Sequence, residues 1–202
     1  MICVCGEEFS AKGATQCVDC EEYETEQREL RLEARIVNSG LPLPLRHTRF
    51  PEGPAAAIAR QWAANEIATL CLTGPVGVGK TYLAGAACWA RIQSRSTRWV
   101  SVARLLLQLR ASFGDDDRAK ALSTLTGTGA IVLDDLDKVN PTEDGRSAIF
   151  TAIDNRVEEG APLLVTTNLG MAEIGQRYGD AVMSRLRSGK VVRMQGEDRR
   201  LV

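Results

Sequence analysis

The sequence predicts an α/β fold, a parallel five-stranded sheet held between helices. Three observations carry this. Short β-like apolar runs alternate with longer helical segments through residues 55–194, the pattern of a parallel sheet with helical crossovers. The run Ala130-Ile-Val-Leu-Asp134 is apolar up to its last residue, as suits a strand buried on both faces. A glycine-rich loop, Gly74-Pro-Val-Gly-Val-Gly-Lys-Thr81, joins a β-like run to a helix-like run, a unit shaped to hold an anion.

The elements follow in order. Residues 1–20 carry two cysteine pairs and read as a small hairpin. Residues 21–37 read as a charged helix with a thin apolar stripe at Tyr23, Leu30, Ala34 and Val37. Such a stripe packs on the body of the protein or on a partner helix. Asn38-Ser39-Gly40 stops the helix, and Leu41-Pro-Leu-Pro-Leu45 reads as an irregular linker. Residues 46–202 form the second unit. Helices are predicted over 55–66, 79–95, 103–113, 116–125, 142–159 and 180–187. Strands are predicted over 67–73, 98–102, 130–134, 162–167 and 190–194.

The glycine-rich loop carries the chemistry. Glycines let the backbone wrap close to an anion with its N–H groups turned inward. The following helix adds the partial positive charge of its N-terminus. Gly74, Pro75, Val76, Gly77, Val78, Gly79, Lys80, Thr81 and Tyr82 are therefore the expected nucleotide-binding stretch. Lys80 reaches the β- and γ-phosphates, and the Thr81 hydroxyl ligates Mg²⁺. The run Ile131-Val-Leu-Asp134-Asp135 ends in two acids. Asp134 is expected to hold Mg²⁺, commonly through water, and Asp135 to orient or deprotonate the attacking water. Glutamate is more usual at the second position, so a shorter aspartate there slows hydrolysis or reaches the water by a small shift. Asn168, closing Thr166-Thr167-Asn168, is expected to contact the γ-phosphate or the lytic water. Arg185, in Met183-Ser184-Arg185-Leu186-Arg187, is either an arginine finger for a neighbouring subunit or a surface residue.

Composition narrows the class. The chain has 202 residues with 44% hydrophobic residues and net charge −1, values of a soluble globular protein. No apolar run reaches the roughly 18–20 residues that span a bilayer, and no basic-then-apolar leader opens the chain. The expectation is a cytoplasmic protein with no membrane contact, microbial or viral. Residues 1–40 hold nine acids and four bases, a net of −5, which leaves +4 on the remainder. An acidic head suits a protein contact; a mildly basic body suits a polyanion or is simply a solvated surface. Cys3, Cys5, Cys17 and Cys20 supply four thiolates to a tetrahedral Zn²⁺. Reduced unpaired thiols and a redox pair are the alternatives. Cys71 and Cys88 read as buried small hydrophobes.

Several further stretches, together with these, resemble one family. Arg46-His-Thr-Arg-Phe50, the loop at 74–81, Ile131-Val-Leu-Asp-Asp-Leu-Asp-Lys138 and Leu163-Leu-Val-Thr-Thr-Asn168 carry the likeness. Gly179-Asp-Ala-Val-Met-Ser-Arg-Leu-Arg187 and Gly196-Glu-Asp-Arg199 extend it. From about Leu45 onward the chain looks like an AAA+ replicative-helicase loader of the DnaC/DnaI type, related to the IstB type. That resemblance implies an ATPase that binds a DnaB-type ring helicase, self-associates through Arg185 as the finger, and helps place the ring on single-stranded DNA. It implies a helicase-gripping role for the acidic head. It makes Arg110, Arg118 and Lys120 candidates for DNA contact, against which the run Asp115-Asp-Asp117 argues. Fifteen residues follow Arg187, so the resemblance implies a truncated member without a full helical lid. The alternatives are an IstB-like ATPase regulating DNA transposition and an adaptor that binds ATP without hydrolysing it.

Overall fold

A computed structural model describes residues 18–112, 114–127 and 129–198. Its centre is one parallel sheet of β1 (Thr69–Thr73), β2 (Thr97–Ser101), β3 (Ala130–Asp134), β4 (Leu163–Thr167) and β5 (Lys190–Arg193). The strand order is β2-β3-β4-β1-β5, and every pairing is parallel. The expected five-stranded parallel sheet is therefore present. All residues of β1, β3 and β4 are buried, which explains their near-continuous apolar sequence.

Helices cover both faces: α1 (Val18–Ser39), α2 (Pro54–Ala64), α3 (Lys80–Ile92), α4 (Val102–Ala111), α5 (Asp115–Ser123), α6 (Glu143–Glu158), α7 (Met171–Tyr178) and α8 (Asp180–Arg187). Alternation along each strand sorts the core into two halves. Leu70, Leu72, Val132 and Leu164 pack with Trp62 of α2 and Leu83 and Ile92 of α3. Cys71, Ile131, Leu133 and Val165 pack with Leu105 and Leu106 of α4, Ile149 and Ile153 of α6, and Val182 of α8. Cys71 and Cys88 are buried, and burial pushes both thiols up to about 12. They stay neutral and serve as small apolar residues.

Arginines satisfy carbonyls that helix ends leave open. Arg91 of α3 donates to Trp62 O and Ala63 O at the end of α2. Arg35 of α1 donates to Ile92 O at 2.8 Å and Gln93 O at 2.9 Å, closing the end of α3. This second contact fixes the C-terminal part of α1 on the body of the protein.

Three sequence expectations change. Helix α7 was not anticipated; Gly170 precedes it, Gly175 interrupts its pattern, and its N-terminus is held by the Glu173 carboxylate accepting from Gly170 N–H at 2.6 Å. The segment 41–45 is not wholly irregular: Leu43–Leu45 form a 3-10 turn, and Leu41 is 2% exposed within the core. The apolar stripe of α1 faces the other way. Leu32 and Ile36 pack on the body, while Tyr23, Leu30 and Val37 are 62%, 50% and 72% exposed. The expected hairpin, with Cys3, Cys5 and Cys17, lies outside the described residues; Cys20 is half-buried in the first turn of α1. Among the described residues no helix is long and apolar enough to cross a membrane.

Burial of Leu41 gives a direct check. Leu41→Ala is expected to lower the unfolding free energy by about 2–5 kcal/mol, the cost of emptying a packed leucine site. Urea denaturation measures it. A change below about 0.5 kcal/mol, the scale of an ordinary surface substitution, would show that this segment is not part of the core.

Candidate nucleotide site

The site forms where β1, β3 and β4 end. Parallel register places Thr73 of β1 beside Thr167 of β4, and Leu133 of β3 beside Val165 of β4. The loop after β1 turns at Gly74, Gly77 and Gly79, with φ of 139°, 82° and 92°. L-residues rarely adopt these values. At Gly74 space demands glycine as well. A Cβ at Gly74 would lie 2.2 Å from the backbone Met194 O, whereas at Gly77 it would meet only the Asp198 side chain, which can swing away, so there the positive φ is the constraint. The segment after β5 thus presses against the loop, anchored by Met194 N–H donating to Thr73 O at 2.7 Å.

Lys80 is 6% exposed. Its ammonium donates to Gly74 O at 2.8 Å, Pro75 O at 2.7 Å and Asn168 Oδ1 at 2.7 Å. Thr81 Oγ1 donates to Asp134 Oδ1 at 3.0 Å, and Thr166 Oγ1 donates to the same oxygen at 2.7 Å. The Thr166 hydroxyl also accepts from Asp135 N–H at 2.9 Å. Asp135 has φ 58°, an uncommon conformation for a residue with a side chain. It is held there by that bond and by the ion pair of its carboxylate with Lys138.

A cleft of about 480 Å³ opens over this cluster, lined by Val76, Gly77, Gly79, Lys80, Thr81, Tyr82, Asp135 and Asn168, with Pro51 and Lys138. Lys80, Thr81, Asp134, Asp135 and Asn168 therefore converge as the sequence suggested. Asp134 is buried and does not line the cleft, but it contacts the lining residue Thr81. Pro51, Lys138, Thr166 and Asp137 belong to the cluster without having been singled out. The run Asp134-Asp-Leu-Asp137-Lys138 and the paired threonines before Asn168 were the available signals. Arg185 does not line this cleft. It lies on α8, paired with Asp154 and Glu158 of α6. Of the basic residues considered for DNA contact, Arg118 is forked onto Asp144, and Arg110 donates to Asn140 O.

Burial and the neighbouring Asp135 charge push the Asp134 carboxyl up to about 6, against the lowering by the Thr166 and Thr81 hydrogen bonds and Lys138. A buried carboxylate with this little compensation is suited to a cation. The Thr81 hydroxyl beside it is a second hard oxygen ligand, so the residues present fit Mg²⁺.

A parallel sheet of this order, with a glycine-rich phosphate loop after β1 and an acid pair after β3, defines an ATP-binding domain of the AAA+ type. Residues 58–201 match the family of IstB-like ATP binding proteins, and the chain belongs to that family. It is 35% identical over 101 residues to the protein described as the ATP-binding protein of insertion sequence IS1162 from Pseudomonas fluorescens, covering 48% of this chain and 42% of the relative. The chain thus spans less than half the length of that relative. It is 25% identical over 180 residues to the replicative helicase loader DnaC of Escherichia coli strain K12, covering 82% of this chain and 74% of the loader. The crystal structure of DnaI superposes with TM-score 0.64 at 21% identity over 79% of this chain and 94% of that one, a likeness of fold.

The raised Asp134 carboxyl predicts a pH signature in magnesium-free protein. The folded state holds its proton up to about pH 6, whereas the ordinary value is 3.8. The folded state therefore binds more protons between these values, and stability falls as pH rises across the window. Asp134→Asn removes the burden. Above pH 7 it should stabilise the metal-free protein by about 1–3 kcal/mol, with the gap closing near pH 4. Thermal unfolding in chelator at both pH values measures this. Equal stability of the two proteins at pH 8 would contradict it.

Proposed function

We propose that this chain hydrolyses ATP and uses it to load a replicative ring helicase onto single-stranded DNA. The observation that supports the ATPase reading is the convergence of Lys80, Thr81, Asp134, Asp135 and Asn168 at one cleft. In this reading the loop N–H groups and Lys80 hold the phosphates. Thr81 and Asp134 would hold Mg²⁺, which supplies neutralising charge at the β- and γ-oxygens. Asp135 accepts a proton as water attacks the γ-phosphorus and the bond to the bridging oxygen breaks. Lys138 forms an ion pair with the Asp135 carboxylate and must yield it to the water.

Arg185 supports a neighbour's site in this account. An arginine outside its own cleft, on an exposed helix, is placed to enter the cleft of the next subunit. Such a head-to-tail contact builds a ring or an open helix. The proposed organisation is a partner-binding unit at 1–40 and an ATPase unit at 46–202. Helix α1 supports the loader role. Tyr23, Leu30 and Val37 recur every seven residues on one exposed face, an apolar line open to a partner surface. Around them stand Glu21, Glu22, Glu26, Glu29 and Glu33, all exposed. Zinc on Cys3, Cys5, Cys17 and Cys20 would staple the segment ahead of this helix.

A second reading is a regulator of DNA transposition. The family match and the 35% identity to the insertion-sequence protein favour it.

Co-purification with a replicative helicase, followed by ATPase assay with and without single-stranded DNA, separates the two. The loader reading expects a stable complex whose turnover responds to single-stranded DNA. Tyr23→Glu with Leu30→Glu should break the complex and spare nucleotide binding. Chelation should release about one zinc per chain and weaken the same complex. Absence of a helicase complex, with duplex DNA or a transposase raising turnover instead, would assign the protein to transposition.

A further inference from the structure

Asn168 stands between two charges of opposite sign. Its Oδ1 accepts from Lys80 Nζ at 2.7 Å, and its Nδ2 donates to Asp137 Oδ2 at 2.6 Å. The other oxygen of Asp137 accepts from Asn168 N–H at 2.7 Å and from Thr167 Oγ1 at 3.0 Å. An ionised carboxylate only accepts and an ammonium only donates. Reversing the Asn168 amide would set its NH₂ against the ammonium and its oxygen against the carboxylate. Two hydrogen bonds would become two repulsions. The amide orientation is therefore forced by the charges on either side.

The consequence is chemical. Asn168 turns an oxygen, not an NH₂ group, toward the phosphate loop. Phosphate oxygens are themselves acceptors at this face, so no hydrogen bond forms between them and Asn168 Oδ1. What Oδ1 can receive is a donor: the Lys80 ammonium, or the attacking water. Asp137 is itself fixed from behind by α7. Its backbone oxygen accepts from Arg177, and the preceding Leu136 O accepts from Tyr178 OH at 2.6 Å.

We propose that Asp137 is a positioning residue that locks Asn168 as an acceptor, so that Asn168 aligns Lys80 and the attacking water rather than donating to the γ-phosphate. Asp137 does not line the cleft and would reach it through Asn168. This inference rests on the reading of the cleft as an ATP-hydrolysing site.

Asp137→Asn keeps the size of the side chain but turns one acceptor into a donor facing Asn168 Nδ2. Turnover at saturating ATP, in the full chain with single-stranded DNA, should fall about tenfold to a hundredfold, the scale of a misplaced reacting group. Affinity for a fluorescent ATP analogue should stay within about twofold, which also shows that the variant is folded. Asp137→Glu, retaining charge and acceptor, should keep more turnover than Asp137→Asn. In an Asn168→Ala background, Asp137→Asn should cause no further loss, because its route is gone. Independent losses in the double variant would overturn the inference, as would full turnover by Asp137→Asn when Asn168→Ala is slow. Full turnover by Asn168→Ala would instead overturn the catalytic reading of Asn168, and this inference with it.

Discussion

The ATP site depends on one geometric constraint. β1, which carries the phosphate loop, and β3, which carries the acid pair, are not neighbours; β4 lies between them. Their functional ends meet over the end of β4, which adds a hydroxyl bridge to their direct contact. Thr166 donates to Asp134 and accepts from Asp135 N–H, while Thr81 reaches the same Asp134 oxygen from the loop side. Three strands are thereby tied at one carboxylate. Parallel pairing is what delivers all three carboxyl ends to the same edge, where ligands of open α/β sheets bind.

Charges of both signs meet in the cluster, and Lys138 pairs with Asp135. Asp134 is buried with hydroxyl partners, and its carboxyl is pushed up to about 6. Lys80 donates to two loop carbonyls and to Asn168. Neutral oxygens hold the ammonium more weakly than a carboxylate or phosphate does, so an arriving nucleotide takes it over. Arg185 differs in that two carboxylates of α6 hold it. As the proposed finger, it would exchange these carboxylates for a neighbour's phosphates.

Much of this was legible in the sequence. The loop at 74–81 and the apolar run ending in Asp134 and Asp135 each state their chemistry locally, through residue type and spacing. Asp137 did not, because its meaning arises from Asn168, which is distant in sequence and reached only when β3 and β4 pair. Lys138 reads as surface charge until the turn at Asp135 brings the two together. Helix α7 was hidden by its length and by Gly175, and tertiary packing of Ile174 and Tyr178 sustains it. The stripe on α1 was visible, but which face met the body was decided by Arg35, Leu32 and Ile36 against α3 and its neighbours. Local pattern gave the helix, and only the packed body gave its orientation.

The central claim is an ATP site completed by the neighbouring subunit. Mixing Lys80→Ala protein, whose cleft is disabled and whose arginine is intact, with Arg185→Ala protein, whose cleft is intact and whose arginine is gone, tests it most directly. Each alone should turn over little ATP. Together, under conditions that support assembly, they should recover part of the wild-type rate, because an intact cleft then meets an intact arginine. A mixture no faster than the average of its components would contradict the shared site.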